Sequence, residues 1–179
     1  MFSISELEAD IDDVMNAPAE SGTLSLIVRR PKVGERETVE VGQLDLTEGL
    51  VGDSWRLRSR RGPGQPDPFN QITVMSARAV ALIAGDRARW PLAGDQLYVD
   101  FDIGQDNLPA GSRLLVGETV MEVSAKPHTG CQKFSSRFGV DALRFVNSEA
   151  GRKLRLRGLN ACVVVPGTIR LGDPVCKEL

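Results

Sequence analysis

The stretch Lys126-Pro127-His128-Thr129-Gly130-Cys131-Gln132-Lys133-Phe134, running on to Arg137, concentrates the side chains most able to do chemistry. It holds the single histidine of the chain and one of its three cysteines. The residues before it alternate like a strand, and those after it have helical character. If a helix begins at Thr129 or Gly130, Cys131 falls in its first turn, where unpaired N–H groups and the helix dipole favour a thiolate. Lys126, Lys133, Arg137 and a protonated His128 would add positive charge, which lowers a thiol's pKa and makes it a nucleophile. Against this stands the ordinary reading of a lone cysteine as a small buried residue with a solvated rim of cations. Residue types alone favour the ordinary reading.

Two basic runs suit anion recognition: Arg56, Arg58, Arg60 and Arg61, and then Arg152, Lys153, Arg155 and Arg157. Arginine offers a planar fork that fits phosphate or carboxylate. The second run also fits the wet face of an edge strand, where charge discourages aggregation. These two readings stand even. Asn107, in Gly104-Gln105-Asp106-Asn107-Leu108-Pro109, can offer its amide to a ligand or close an Asx-turn on its own backbone, and the turn is the simpler reading. The Cys131 loop, Asn107 and at least one arginine from 56–61 or 152–157 are expected to border one cleft. A zinc site is disfavoured because Cys162 and Cys176 lack metal-type spacing. No nucleophile elbow, Walker loop or dinucleotide fingerprint is present.

The elements that must position these residues are mostly short strands. Alternation marks strands at 24–29, 39–42, 71–75 and 97–101, a pair at 113–116 and 119–124, and a final hairpin at 159–165 and 168–176 around Pro166-Gly167. Ser76 can cap a helix through Ala84, and Ser5-Glu6-Leu7-Glu8 reads as a capping box for a short acidic helix through Met15. The pattern predicts an α+β, β-rich domain, a barrel with peripheral helices, over 21–179, with residues 1–20 as an N-terminal extension. The net charge of -2 argues against nucleic acid or an acidic membrane as partner. The acidic N-terminus lacks the apolar run of a secretory signal, and no apolar run approaches membrane-spanning length. An odd number of scattered cysteines is not a disulfide framework, so a reducing, cytoplasmic setting is expected.

In order and spacing, Gly49-Leu50-Val51-Gly52-Asp53, Gln71-Ile72-Thr73-Val74-Met75, Asp106-Asn107-Leu108-Pro109, Leu114-Leu115-Val116-Gly117 and His128-Thr129-Gly130-Cys131-Gln132-Lys133-Phe134 resemble the MOSC domain. The likeness runs from about residue 22 to the C-terminus. It implies a β-barrel whose shared cysteine, here Cys131, carries sulfur as a persulfide or ligates molybdenum of a molybdopterin cofactor. It also implies that Asn107 matches the asparagine of the loop motif. Cofactor-binding residues are then expected among Asn107, His128, Lys133, Arg137, Arg56 and Arg155. A cysteine desulfurase, or another sulfur donor, and a redox partner are the implied partners. The implied activities are sulfur transfer or molybdenum-dependent reduction of N-hydroxylated compounds; a non-catalytic module for a phosphorylated ligand is the remaining reading. The chain departs from the family pattern after Asp53, where Ser54-Trp55-Arg56 replaces the Arg-His of many relatives.

Overall fold

The computed structural model describes residues 1–58 and 66–178, the side chain of Arg58 excepted. Side chains that alternate along a strand point to opposite faces, and here this sorts the apolar residues into two cores. On β1 (Ser21–Arg29) Ile27 faces one core and Val28 the other; on β5 (Ile72–Ser76) Val74 and Met75 divide the same way. On β6 (Leu97–Asp100) Leu97 and Val99 point into the first core and Tyr98 into the second. The first core fills a barrel. The second lies between the barrel wall and the helices.

The barrel takes β1, β5 and β6 together with β7 (Arg113–Val116), β8 (Thr119–Val123), β9 (Leu159–Val165) and β11 (Pro174–Lys177). Its order is β11-β7-β8-β9-β5-β6-β1, and β1 pairs back to β11 through Ser21↔Cys176 and Thr23↔Pro174, which closes the ring. Closure removes the exposed edges that would template aggregation. The β5–β6 pair is parallel, joined by α3 (Ala77–Ala84) and a 3-10 helix, Arg87–Ala93. Outside the ring, β2 (Glu37–Val39) extends β1. A small sheet is formed by β3 (Val41–Asp45), β4 (Gly49–Leu50) and β10 (Gly167–Arg170), in the order β10-β3-β4. The result is the expected α+β, β-rich barrel with peripheral helices.

Three local expectations come out differently. Pro166-Gly167 does bend the chain, but β9 and β10 do not pair; β10 crosses to β3, and β11 goes on to β1 and β7. The 39–42 run breaks at Glu40, so β2 and β3 join different sheets. At the N-terminus the box is Ser3 with Glu6, with Ser3 N–H donating to Glu6 Oε2 at 2.7 Å, and α1 (Ile4–Ala9) is followed by a separate α2 (Asp12–Met15). Capping at Ser3 places Phe2 and Leu7 at the staple positions on either side of the cap, and Leu7 is buried in the second core.

The C-terminal half of the second core is built by α4 (Gln132–Phe138), α5 (Val140–Asn147) and α6 (Glu149–Lys153). The chain returns from α6 to β9 through Gly158, at φ 99°. A Cβ there would overlap the Val74 carbonyl oxygen and lie 3.4 Å from His128 Nδ1. Gly158→Ala is therefore expected to destabilise the protein by at least about 2 kcal/mol, from left-handed strain plus overlap. Urea unfolding checks this; an unchanged midpoint would show that the entry to β9 yields.

Candidate functional site

Cys131 is the N-cap residue of α4 itself, one step before the first turn, and its side chain is exposed. No cap hydrogen bond to the sulfur has the required geometry, yet the N–H groups of Phe134 and Lys133 lie close enough to act on it. Burial pushes the thiol up, but those two amides and the charges of Arg157 and Lys133 outweigh it, so its pKa falls below the ordinary thiol value. Cys162, on β9, behaves oppositely: burial and the nearby Glu122 carboxylate push it up. Cys176 lies half-buried on β11.

Beneath the Cys131 loop sits a buried ion pair. Arg157 Nη1 donates to Asp95 Oδ2 at 2.5 Å and Nη2 donates to the Ala93 carbonyl at 3.0 Å. The Asp95 side chain is wholly inaccessible and that of Arg157 nearly so. The guanidinium also lies over the Phe134 ring, 5.1 Å from its centroid, which ties the pair to the first turn of α4. His128 Nδ1 is 3.4 Å from Asp95 Oδ1, without a hydrogen bond between them. Burial first, and then the charge of Arg157, push the His128 pKa down to about 3, against the opposing pull of Asp95. At neutral pH His128 is an uncharged ring.

A cleft of about 490 Å³ opens beside this cluster. Lys126, His128 and Thr129 form one wall, Arg152, Arg155 and Arg157 another, and Gln105, Pro109 and Ala110 a third. Residues 126–129 of the Cys131 loop, neighbours of Asn107 and the 152–157 run thus meet at one place, but neither Cys131 nor Asn107 itself lines the cleft. Arg155 donates through Nη1 to the carbonyls of Ile103 (3.1 Å) and Leu108 (2.6 Å), so its guanidinium fastens the third wall. Lys126 pairs with Asp67 at 2.6 Å. Arg152 is exposed on the rim and has no ion pair among the described residues.

Other expected residues lie elsewhere. The Asn107 amide donates to the carbonyls of Ala19 (3.2 Å) and Asp102 (2.8 Å), and Lys177 reaches its Oδ1 at 3.4 Å, so it joins the N-terminal segment to the barrel. Arg56 is exposed, acts on Asp45 at the β3–β4 turn and does not line the cleft. Arg137, at the far end of α4, donates to the Leu92 carbonyl at 2.7 Å. Lys133 is exposed next to Cys131. Arg60 and Arg61 lie outside the described residues, as does the side chain of Arg58.

Further charged residues complete the surroundings. Asp53, from the Gly-Asp motif, is fully buried at its carboxylate and grips Arg30 through Nε at 2.8 Å and Nη2 at 2.9 Å. Arg30 Nη1 then donates to the Gly94 carbonyl at 2.7 Å. Nothing local in the sequence marks Arg30 or Arg36 out. The one usable signal was Gly94-Asp95 after the apolar Trp90-Pro91-Leu92-Ala93, which announces a turn that ends in an acid. Among the described residues no group of His, Cys, Asp or Glu is arranged to hold a metal ion, and no helix is long and apolar enough to cross a membrane.

No protein-family model matches the sequence, and no curated protein matches it. Solved structures do match in shape. The YUAD protein from Bacillus subtilis superposes with a TM-score of 0.65 at 17% identity, over 87% of this chain and 94% of that one. YiiM from Geobacillus stearothermophilus gives 0.59 at 15% identity, over 89% and 75%, and YiiM from Escherichia coli 0.56 at 16%, over 88% and 70%. At such identities the likeness establishes the fold.

Two outcomes are expected at the buried cluster. Asp95→Ala strands a buried guanidinium and should cost about 3–5 kcal/mol, whereas an apolar replacement of both partners should cost far less; denaturant unfolding of the single and double variants measures both. Second, unfolded His128 takes up a proton near pH 6.5, while the folded ring resists until about pH 3. The stability it contributes is present above pH 6.5 and is lost as pH falls, by up to about 1.4 kcal/mol per pH unit. His128→Asn should flatten that part of the curve between pH 6.5 and 4; an unchanged slope would show that His128 does not carry it.

Proposed function

We propose, with the MOSC-type barrel as premise, that this chain accepts sulfane sulfur on Cys131 and holds it as a persulfide for transfer. The observation that carries the reading is the exposed Cys131 thiol, held below its ordinary pKa by backbone amides and by Arg157 and Lys133. A thiolate of this kind attacks the outer sulfur of a donor's persulfide. One S–S bond forms at Cys131, the donor's S–S bond breaks, and the donor leaves as a thiolate, so no outside oxidant or reductant is required. The same amides and cations that favour the thiolate also favour the persulfide anion. The donor is a cysteine desulfurase or another persulfide-bearing protein.

A second reading is favoured by the cleft. Its volume of about 490 Å³ lies in the range of small-molecule and cofactor sites, and Thr129, two residues before Cys131, lines it. A molybdopterin-type group bound there would take Cys131 as its metal ligand, with Arg152, and Lys126 once drawn from Asp67, holding the anionic tail. Bound there, molybdenum would supply two-electron redox chemistry, with a separate reducing partner, for N-hydroxylated substrates. This chain's own contribution is to orient the thiolate and to balance its charge.

Alkylation rate against pH for each single-cysteine variant, followed by loading from a persulfide donor, tests the first reading. Cys131 should react fastest near neutral pH and gain about 32 Da of reductant-sensitive sulfur; Cys131→Ser should abolish the gain. Equal reactivity at Cys176, or loading that survives Cys131→Ser, would refute the carrier role. Stoichiometric molybdenum and pterin in protein from its native host would move the assignment to the second reading. Ligand binding in the cleft that is indifferent to Cys131→Ser would point to a non-catalytic module.

A further inference from the structure

The loop that delivers Cys131 makes few bonds of its own. It is fastened at its start by the Lys126 carbonyl, which accepts from Asn160 Nδ2 at 3.1 Å. At its end the Cys131 carbonyl accepts from the N–H groups of Phe134 and Ser135 at 2.9 and 3.1 Å. Among the described residues, the backbone of 127–130 between them makes hydrogen bonds to one side chain only. Gly130 N–H donates to Asn147 Oδ1 at 2.9 Å, and Asn147 Nδ2 donates back to the Gly130 carbonyl at 3.2 Å. The asparagine amide thus exchanges both bonds with Gly130, as facing residues do in an antiparallel ladder.

Asn147 is the last residue of α5, and Leu143, Val146 and Asn147 share one face of it at i, i+3 and i+4. Gly130 lies flat against that face: a Cβ there would come 2.7 Å from Leu143 Cδ1 and 2.9 Å from Val146 Cγ2. The missing side chain lets the backbone come close enough for both bonds. Val146 and Thr129 line the cleft, whereas Cys131 is exposed outside it. The clamp therefore sits between cleft and thiol. Cys131 itself is extended (φ -126°, ψ 177°) and has no side-chain cap bond, so the backbone on either side sets its direction. The amides of Phe134 and Lys133 act on the sulfur only while that direction is kept.

We propose that Asn147 is the positioning residue for Cys131: its side-chain amide clamps both backbone groups of Gly130 and holds the thiol over the first turn of α4. The inference rests on Cys131 as the working thiol, but it concerns how that thiol is aimed and not what it carries. Asn147 does not line the cleft and its hydrogen bonds go to Gly130, so it acts through the backbone. Without its amide the 127–130 stretch loses its bonds to α5, and Cys131 can turn away from the N–H groups of Lys133 and Phe134.

The test is alkylation of the full chain by iodoacetamide at about pH 7 and about pH 10, followed at Cys131 by peptide mass. Asn147→Leu keeps the bulk and removes both bonds. Its rate at Cys131 should fall by at least about fivefold at the lower pH and stay within about twofold at the higher, where the thiol is ionised in either protein. Ile83→Ala, which opens a cavity in the second core from α3, should leave the ratio of the two rates as in the parent; a purely structural asparagine would make the two variants alike. Hydrogen exchange in the parent gives a measure that needs no variant. After correction for intrinsic rates, Gly130 N–H should exchange at least about a hundredfold more slowly than Thr129 N–H, which has no partner among the described residues. If Asn147→Leu does not fold, the exchange rates decide. The inference is overturned if the Asn147→Leu ratio equals the parent's, if Ile83→Ala shifts it as far, or if the two amides exchange alike. The parent's own reactivity, Cys131 against Cys176, tests the carrier reading instead, so either can fail while the other stands.

Discussion

A guanidinium buried against a carboxylate constrains everything around this site. Taking either charge out of water costs several kcal/mol, and only close pairing with further hydrogen bonds offsets that cost. Asp95 and Arg157 satisfy the condition because three segments arrive together: the 92–95 turn, the approach to β9 and the first turn of α4, whose Phe134 ring lies under the guanidinium. Moving any one of them would expose or strand a charge. The position of Cys131 is therefore fixed from below by an ion pair in which it takes no part.

The arginines differ in what they hold, and the backbone shows how strongly. Arg155 adopts φ 50°, a left-handed conformation unusual for a residue with a side chain. That strain costs about 1–2 kcal/mol, whereas hydrogen bonds made by a charged group are worth about 1.5–3 kcal/mol each. Its two bonds, to the carbonyls of Ile103 and Leu108, exceed the strain and fix the wall of the cleft. Arg30, Arg137 and Arg157 take the carbonyls of Gly94, Leu92 and Ala93 at the end of the 3-10 helix, where unpaired acceptors favour cations. Counting basic residues along the sequence could not separate these roles, because each depends on which carbonyls the fold leaves unpaired.

Much of the barrel was legible for a physical reason. Alternation at Leu97, Val99 and Phe101 encodes a strand with one face in the core, and Ser76 before Ala77 encodes a helix start, with its Oγ accepting from Ala79 N–H at 3.3 Å. Pairing was less legible. Pro166-Gly167 states that the chain bends, but not which edge the next strand meets, and β10 finds β3 instead of β9. Both Ser3-x-x-Glu6 and Ser5-x-x-Glu8 satisfy a capping box, and tertiary burial of Leu7 accompanies the first. At the site, the cysteine loop and the 152–157 run were visible as charge beside a thiol. Their acidic counterpart Asp95 was not, since a single aspartate in a turn looks the same whether it is solvated or buried.

The positive charge that acts on Cys131 comes from Arg157 and Lys133, and this bears on how such a site responds to its surroundings. A histidine in that role would charge and discharge between about pH 5 and 8, and the thiol would follow it. The one histidine is instead held neutral by burial and by Arg157. Arginine keeps its charge throughout that range, so the field on the sulfur stays constant while the thiol itself titrates. Under the proposed function, a persulfide or a metal–thiolate bond at Cys131 would keep the same electrostatic support across the physiological range. A change in packing at Asp95, Arg157 or Phe134 would alter it, as would loss of Lys133, and the amides of Phe134 and Lys133 act on the sulfur ahead of either charge.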